Sequence, residues 1–284
     1  MDAAAYQPNE DQAAHWNGRA GQAWTEAEAL IDALFRPIEQ LLADTAAAFN
    51  PASVLDVGCG TGSTTLAIAR RLGDEARCVG IDISEPMLAA ARARAEREGV
   101  AASFVRADAQ THGFTPASFD LIASRFGVMF FDDPVRAFAN LRQAAMPGAQ
   151  LRLVTWRGAA ENPFMLAAER AAAPLLPALP AREPNGPGQF AFADEDRVRR
   201  ILEESGWAGI DLEPVDIVCT MPEKDLIFYF TRLGPLSKIL PDVDDRMRAR
   251  LIETVRPAFD PYVHGREVRF TAACWMIAAR AVSH

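Results

Sequence analysis

The chain has 284 residues, half of them hydrophobic and 24% charged, with a net charge of −9 and four cysteines. This length supports a sizeable core without crosslinks, and the composition excludes bulk disorder, a collagen-like repeat and a disulfide scaffold. The acidic balance argues against a general nucleic-acid binder, which would carry a basic face.

Residues 1–50 hold eight acids and two bases, which reads most plainly as a solvated acidic helix face. The opening residues MDAAAYQPNEDQ are polar and acidic, unlike a secretory signal. No apolar run reaches the roughly 18 residues of a membrane span, so no membrane insertion is expected. Cys59, Cys78, Cys219 and Cys274 are scattered, with no Cys/His cluster to hold a metal. Buried reduced thiols and a cytoplasmic location are the matching expectations.

Taken in chain order, residues 10–49 predict helix, because Ala27, Leu30, Ile31, Leu34, Ile38, Leu41 and Leu42 recur at helical spacing. After Pro51, short apolar runs alternate with longer helical stretches, the pattern of βα units around a parallel sheet. Strands are expected at 53–57, 78–82, 102–107, 119–124 and 150–156. Helices are expected at about 61–72, after Ser84 with Pro86 in its first turn, and at 134–146, where Pro147-Gly148 ends it. Residues 174–188 carry five prolines and two glycines and predict an irregular loop. Asp194 is a cap for a helix running to about Ser205. Strands are expected at 210–221 and 268–281, with mostly helical sequence at 223–257 between them.

The stretch Val54-Leu55-Asp56-Val57-Gly58-Cys59-Gly60-Thr61-Gly62 places three alternate glycines between a strand and a helix. Such a loop lets backbone approach a ligand at the carboxyl end of a parallel sheet. A nicotinamide dinucleotide site would want G-x-G-x-x-G, but Ser63 stands at the third glycine and Asp56 lies two residues ahead of the loop. An acid there suits a ligand with a cationic amine better than a pyrophosphate. Asp82 ends the second strand, where a carboxylate accepts both hydroxyl hydrogens of a ribose. Asp108 follows the third, where a carboxylate accepts from an adenine amine. Each acid alone reads equally well as a strand-end turn residue; all three at successive strand ends, with the loop, point to one nucleoside site.

These motifs resemble those of the class I (Rossmann-like) S-adenosylmethionine (SAM) dependent methyltransferases. Val54–Gly62 resembles the family's first motif, Gly80-Ile81-Asp82 its ribose-binding acid, Asp108-Ala109-Gln110 its adenine motif and Phe119-Asp120-Leu121-Ile122 its fourth strand. The style is similar to the ubiquinone/menaquinone-biosynthesis and related small-molecule enzymes. The resemblance implies an α/β, doubly wound, seven-stranded, mostly parallel sheet of order 3-2-1-4-5-7-6. It further implies an N-terminal helical lid at 1–50 and a methyltransferase domain at 51–284; the segments 157–193 and 223–265 are then insertions that resemble no motif of the family and are read as a substrate cap. It implies SAM as cofactor, S-adenosylhomocysteine as product, a small-molecule acceptor, and a monomer or homodimer. By the same analogy Gly58, Cys59, Gly60 and Gly62 line the methionine part, Asp56 holds its amine directly or through water, Asp82 takes the ribose and Asp108 the adenine amine. Ala109 and Gln110 accompany Asp108.

Other residues have two readings each. Ile83 and Met87 pack on the adenine face, though for Met87 plain core is an equal alternative. Arg125 pairs with a substrate or SAM carboxylate, or with Asp132 or Asp133. His112 and His15 are candidate bases or ordinary surface histidines. Trp16 and Trp24 shield a sulfonium through their rings, or pack the N-terminal helix on the sheet. The run Phe126–Phe131 forms an apolar wall for the acceptor, with Val128 and Met129 favoured as core. No [ND]-P-P-[YFW] tetrad or Pro-Cys nucleophile of nucleic-acid methylation occurs there. The competing functions are a SAM-binding sensor or partner without turnover, and a nicotinamide oxidoreductase.

Overall fold

In a computed structural model, residues 9–176 and 186–282 are described. The chain runs α1 (Glu10–Asn17), α2 (Arg19–Glu26), α3 (Glu28–Phe49), β1 (Ser53–Val57), α4 (Ser63–Leu72), β2 (Arg77–Asp82), α5 (Glu85–Glu98) and β3 (Ser103–Arg106). It continues through β4 (Phe119–Arg125), α6 (Pro134–Ala144), β5 (Ala145–Trp156), α7 (Pro163–Ala172), α8 (Glu195–Glu204) and β6 (Trp207–Pro222). The last elements are α9 (Leu226–Arg232), α10 (Asp245–Val255), β7 (Val263–His264) and β8 (Glu267–Ala281).

The strands lie in the order β3-β2-β1-β4-β5-β8-β6, with the two-residue β7 pairing β8 beside this path. Counted without that short strand, this is the expected 3-2-1-4-5-7-6 order. β1 to β5 are mutually parallel, and β8 runs antiparallel between β5 and β6. Chain order reverses between β1 and β4, so the crevice at their carboxyl ends is the expected ligand position. Two hydroxyls fix these strands to one another. Ser53 donates from N–H and Oγ to Asp120 Oδ2 at 2.9 and 2.7 Å, and Ser124 Oγ donates to the Val57 carbonyl at 2.7 Å.

β1 is buried on both faces, as a central parallel strand must be. Helix α3 crosses the sheet beside α4, β4, β5 and β6 and buries Ile31, Leu34, Phe35, Ile38 and Leu42 along one stripe. Elsewhere α6 packs on α8, and Trp207 Nε1 donates to the Phe138 carbonyl at 3.0 Å. The segment around α7 packs with α10 and the tight turn at 256–262, where Phe164 stacks on Phe270 at 3.9 Å. Asn162, buried between them, hydrogen-bonds both the N–H and the carbonyl of Ala273 and so acts as a substitute strand partner for β8.

Several boundaries differ from the expected ones. The single helix expected over 10–49 is three helices, broken at Gly18 and at Ala27, whose ψ of 6° ends the α2 geometry. Helix α6 stops at Ala144, two residues early, because the chain enters β5 before Pro147. There β5 carries an irregularity: Phe119 pairs Ala145 but Leu121 pairs Gln150, and Gly148 at φ +82° takes up the excess chain. Helix α4 begins at Ser63 and not Thr61, since Gly62 is still left-handed. Asp194 does cap α8, accepting from the Arg197 N–H at 2.9 Å. Of the proline-rich loop, 177–185 lie outside the described residues, as does His284.

Candidate active site

A cavity opens at the carboxyl ends of β1, β2, β3 and β4, the crevice where ligands bind in open parallel sheets. Its floor is the glycine loop. Gly58 is left-handed at φ +67°, and a Cβ built on it would stand 2.5 Å from Gly127 Cα. A Cβ on Gly127 would stand 2.5 Å from the Val57 carbonyl oxygen and 2.6 Å from Gly58 Cα. Backbone therefore lies directly on backbone where β1 and β4 end, which only glycine permits at both positions.

Asp82 stands at the wall with both oxygens held by main chain. The Gly60 N–H donates to Oδ2 and the Ser84 N–H to Oδ1, each at 2.8 Å. Each oxygen keeps a further acceptor position for a ligand hydroxyl. Burial raises the Asp82 pKa, partly offset by the backbone donors of Ser84, Gly60 and Ile83. Asp108 lies at the far side, after β3. Its Oδ1 accepts from the Gln110 N–H and from Asn9 Nδ2, both at 2.9 Å. Asn9 Oδ1 in turn accepts from the Asp132 N–H at 3.0 Å, so the start of α1 is tied across the cavity rim. A second tie is Asn17, which donates to the Ile83 carbonyl and accepts from the Glu85 N–H. A third is Ser84 Oγ, which donates to the Trp16 carbonyl at 2.6 Å.

Aromatic rings form the remaining wall. Trp16 meets Trp24 and Phe130 edge-on at 5.8 and 5.3 Å, and Phe126 stacks on Trp156 at 4.7 Å with Phe35 edge-on against it. Phe126 sits at φ +68°, a left-handed conformation that costs a non-glycine residue about 1–2 kcal/mol. The turn from β4 into 127–130 forces it, and the Trp156 stack holds the ring in place.

Of the residues singled out by sequence, Gly58, Cys59, Gly60, Asp82, Ile83, Met87, Asp108, Ala109, Arg125, Trp16 and Trp24 are brought together on this wall. Val128 and Met129 are core, as favoured, while Phe126, Phe130 and Phe131 line the cavity. Five others take different places. Asp56 is fully buried behind the loop, where Thr65 Oγ1 donates to its Oδ2 at 2.6 Å; it anchors the first turn of α4 and is not on the wall. Gly62 lets that turn close on Ala91 and Phe104. The Gln110 amide oxygen accepts from the Asp133 N–H and fixes the start of α6. His112 packs edge-on against Phe114, and His15 against Trp16, both off the wall. The two segments expected as a cap, 157–193 and 223–265, contribute no described residue to this wall, because α7 and α10 pack on each other beside β8. Sequence reading missed Asn9, Gln12, Thr61 and Phe35. Phe35 adjoins the apolar stripe of α3 and was detectable there; Asn9 and Gln12 sit in polar sequence with no pattern to mark them.

Asp56 yields a pH prediction. Burial raises its pKa from 3.8 to about 6, while the Thr65 hydroxyl and Arg125 act in the opposite sense. The folded protein thus holds this proton more tightly than the unfolded chain, so the contribution of Asp56 to stability is greatest below about pH 4 and is lost as pH rises through about 6. Asp56→Asn keeps an acceptor for Thr65 and removes the charge. Relative to wild type it should gain about 2–3 kcal/mol between pH 4 and pH 7 in urea unfolding. A stability difference that does not change with pH would contradict this assignment.

Comparison with known proteins agrees with this geometry. Residues 54–148 match a protein-family model described as a methyltransferase domain. The chain is 34% identical over 124 residues to aklanonic acid methyltransferase DauC of Streptomyces sp. strain C5, covering 42% of this chain and 56% of that protein. It is 37% identical over 101 residues to demethylmenaquinone methyltransferase of Thermus thermophilus, covering 36% and 46%. The matches thus span about half the length of these curated relatives. Among solved structures, a putative methyltransferase from Bacillus halodurans superposes with a TM-score of 0.57 at 20% identity, covering 86% of this chain and 99% of that one. The chain has the Rossmann-like fold of these methyltransferases, and its 54–148 region matches a methyltransferase domain. All four cysteines are free and buried, and no helix among the described residues is long and apolar enough to cross a membrane.

Proposed function

We propose that the protein is a SAM-dependent methyltransferase acting on a small-molecule acceptor, with Asp82, Asp108 and the Gly58–Gly60 loop as its nucleoside and methionine site. The observation that carries this reading is Asp82: a buried carboxylate on the cavity wall, clamped by two backbone donors and still able to accept twice more. That donor set suits a vicinal diol. The two carboxylates of the wall, Asp82 and Asp108, suit a cofactor with hydroxyls, an amine and a positive charge, and oppose a pyrophosphate. Ser63 supports the same choice, since it is buried at the position where a dinucleotide fold would have glycine.

When bound, SAM supplies an electrophilic methyl group on a sulfonium. The protein's part is to orient and to exclude water. Asp82 accepts the ribose hydroxyls and Asp108 the adenine amine, with Ile83 and Met87 flanking the base. The Asn9 and Asn17 ties hold α1 over the cavity as a lid, and the rings of Trp16 and Trp24 offer their faces to positive charge. Phe35, Phe126 and Phe130 give the acceptor a flat apolar berth. In this reading Asp56 acts behind the loop as a positioning residue.

The test is label transfer. With SAM carrying a radioactive methyl group and a total extract of the source cells, label should appear in the solvent-extractable small-molecule fraction. Label confined to acid-precipitated protein or nucleic acid would contradict a small-molecule acceptor.

A further inference from the structure

Helix α4 follows the glycine loop without a side-chain cap, because its N-cap is Gly62. Its first three residues are Ser63, Thr64 and Thr65, and all three are buried. Buried hydroxyls need hydrogen-bond partners, and here each partner is a charged group from behind the loop. Arg125, the last residue of β4, donates from Nε to Thr64 Oγ1 at 3.0 Å and from Nη2 to Ser63 Oγ at 2.7 Å. Thr65 Oγ1 donates to Asp56 of β1 at 2.6 Å. The Ser63 hydroxyl also stabilises the Glu39 carboxylate of α3. Three hydroxyls in a row thus tie the first turn of α4 to β4, β1 and α3.

Arg125 borders the cavity, but two of its nitrogens are committed to α4, and the third, Nη1, is shielded from solvent without a partner. The ion pair that sequence reading allowed with Asp132 or Asp133 is not formed: Asp133 caps α6 at the Arg136 N–H, and the Asp132 N–H is taken by Asn9. The charge of Arg125 is balanced from behind instead. The acids acting on it are Glu39, Asp32 and Asp56, and Arg94 of α5 opposes them. Asp32 and Asp56 each keep one buried oxygen without a partner, as Arg125 keeps Nη1. The guanidinium therefore belongs to a polar cluster under α4, with the protein's own acids as its counter-charges.

The other side of the loop rests on β2. The Gly58 and Cys59 N–H groups donate to the Ile81 carbonyl at 2.9 and 3.2 Å, and the Gly60 N–H to Asp82 Oδ2 at 2.8 Å. The loop thus spans two supports, β2 on one side and the Arg125 cluster on the other. Moving the second support displaces the Gly60 N–H against Asp82.

We propose that Arg125 is a positioning residue: it clamps the first turn of α4 through Ser63 and Thr64 and so sets the glycine loop and Asp82 for the nucleoside, without touching the ligand. This inference rests on the methyltransferase reading given above. It follows that loss of Arg125 weakens nucleoside ligands alike, whether or not they carry a carboxylate.

The test compares wild type, Arg125→Gln and a Ser63→Ala, Thr64→Val double variant by calorimetry. The ligands are S-adenosylhomocysteine and its decarboxylated analogue, S-adenosyl-3-thiopropylamine. Arg125→Gln should weaken both by the same factor, about tenfold. The double variant should lose a similar factor. Adding Arg125→Gln to it should cost less than about twofold more, because the changes remove the same contacts. Amide NMR of the ligand-free proteins supplies a local readout. The resonances of Gly58, Gly60 and Gly62 should move in Arg125→Gln, while those of Gly148, Gly206 and Gly209, at the opposite end of the sheet, stay in place. Should Arg125→Gln not fold, Arg125→Lys replaces it, since lysine keeps the charge but loses the planar fork that meets both hydroxyls. Weakening confined to S-adenosylhomocysteine would make Arg125 a carboxylate ligand and overturn its positioning role. Loop resonances that stay in place, or resonances that move throughout the sheet, overturn it as well. Wild type that binds neither nucleoside overturns the methyltransferase reading, and the loop resonances still decide the role of Arg125.

Discussion

Asp82→Ala should weaken S-adenosylhomocysteine binding by about a hundredfold or more, the loss of two charge-assisted hydrogen bonds worth roughly 1.5–3 kcal/mol each. Part of that loss is indirect, because Asp82 also receives the Gly60 and Ser84 N–H groups and so sets the loop and the start of α5. Asp82→Asn separates the two effects: one of its termini still accepts, so an intermediate loss is expected. The raised pKa of Asp82 adds a pH signature. Its protonated form has one acceptor oxygen fewer, so affinity should fall on acidification at a pH above the range of an ordinary aspartate. Unchanged affinity in a folded Asp82→Ala protein would remove the ribose role from this residue.

Gly127→Ala is the second large effect, and it acts on stability. The new Cβ meets the Val57 carbonyl oxygen at 2.5 Å and Gly58 Cα at 2.6 Å, both backbone atoms at the end of a buried central strand. No flexible side chain is there to give way, so β4 and the loop must separate. We expect destabilisation of about 3 kcal/mol in denaturant unfolding and loss of the nucleoside site with it. Gly113→Ala is the control: nothing lies within 4 Å of its Cβ position, and a change within about 0.5 kcal/mol is expected. Equal effects at the two glycines would show that the contact between the loop and β4 does not matter.

These two sites mark what the residues disclose by themselves. Asp82 was legible because an acid at a strand end, after an alternating glycine loop, has a chemical meaning that depends only on local order. The strands and helices were legible for a similar reason, since apolar runs and caps such as Asp194 are local signals, whereas the order of the strands in the sheet came only from the resemblance to the methyltransferase family. Gly127 was not legible, since its importance comes from a backbone contact with Gly58, 69 positions earlier in the chain. Asp56 shows the same limit. Its place ahead of the loop suggested a holder for an amine, directly or through water; in the fold β1 is enclosed on both faces, Thr65 donates to Oδ2, and Oδ1 is buried without a partner. Asn9 reaches Asp108 across 99 positions, and only the path of α1 over the sheet brings them together. The α7 and α10 segments looked like a cap because they interrupt the sheet strands in sequence. In space they bury their own aromatic faces, Phe164 on Phe259 and Phe270, beside β8.

The most direct test of the central claim is a pair of calorimetric titrations of the wild-type protein, one with S-adenosylhomocysteine and one with NAD⁺. A cavity with Asp82 and Asp108 on its wall and Ser63 at the start of α4 predicts micromolar binding of S-adenosylhomocysteine and no measurable heat with NAD⁺. Binding of NAD⁺ in preference to S-adenosylhomocysteine would contradict the account.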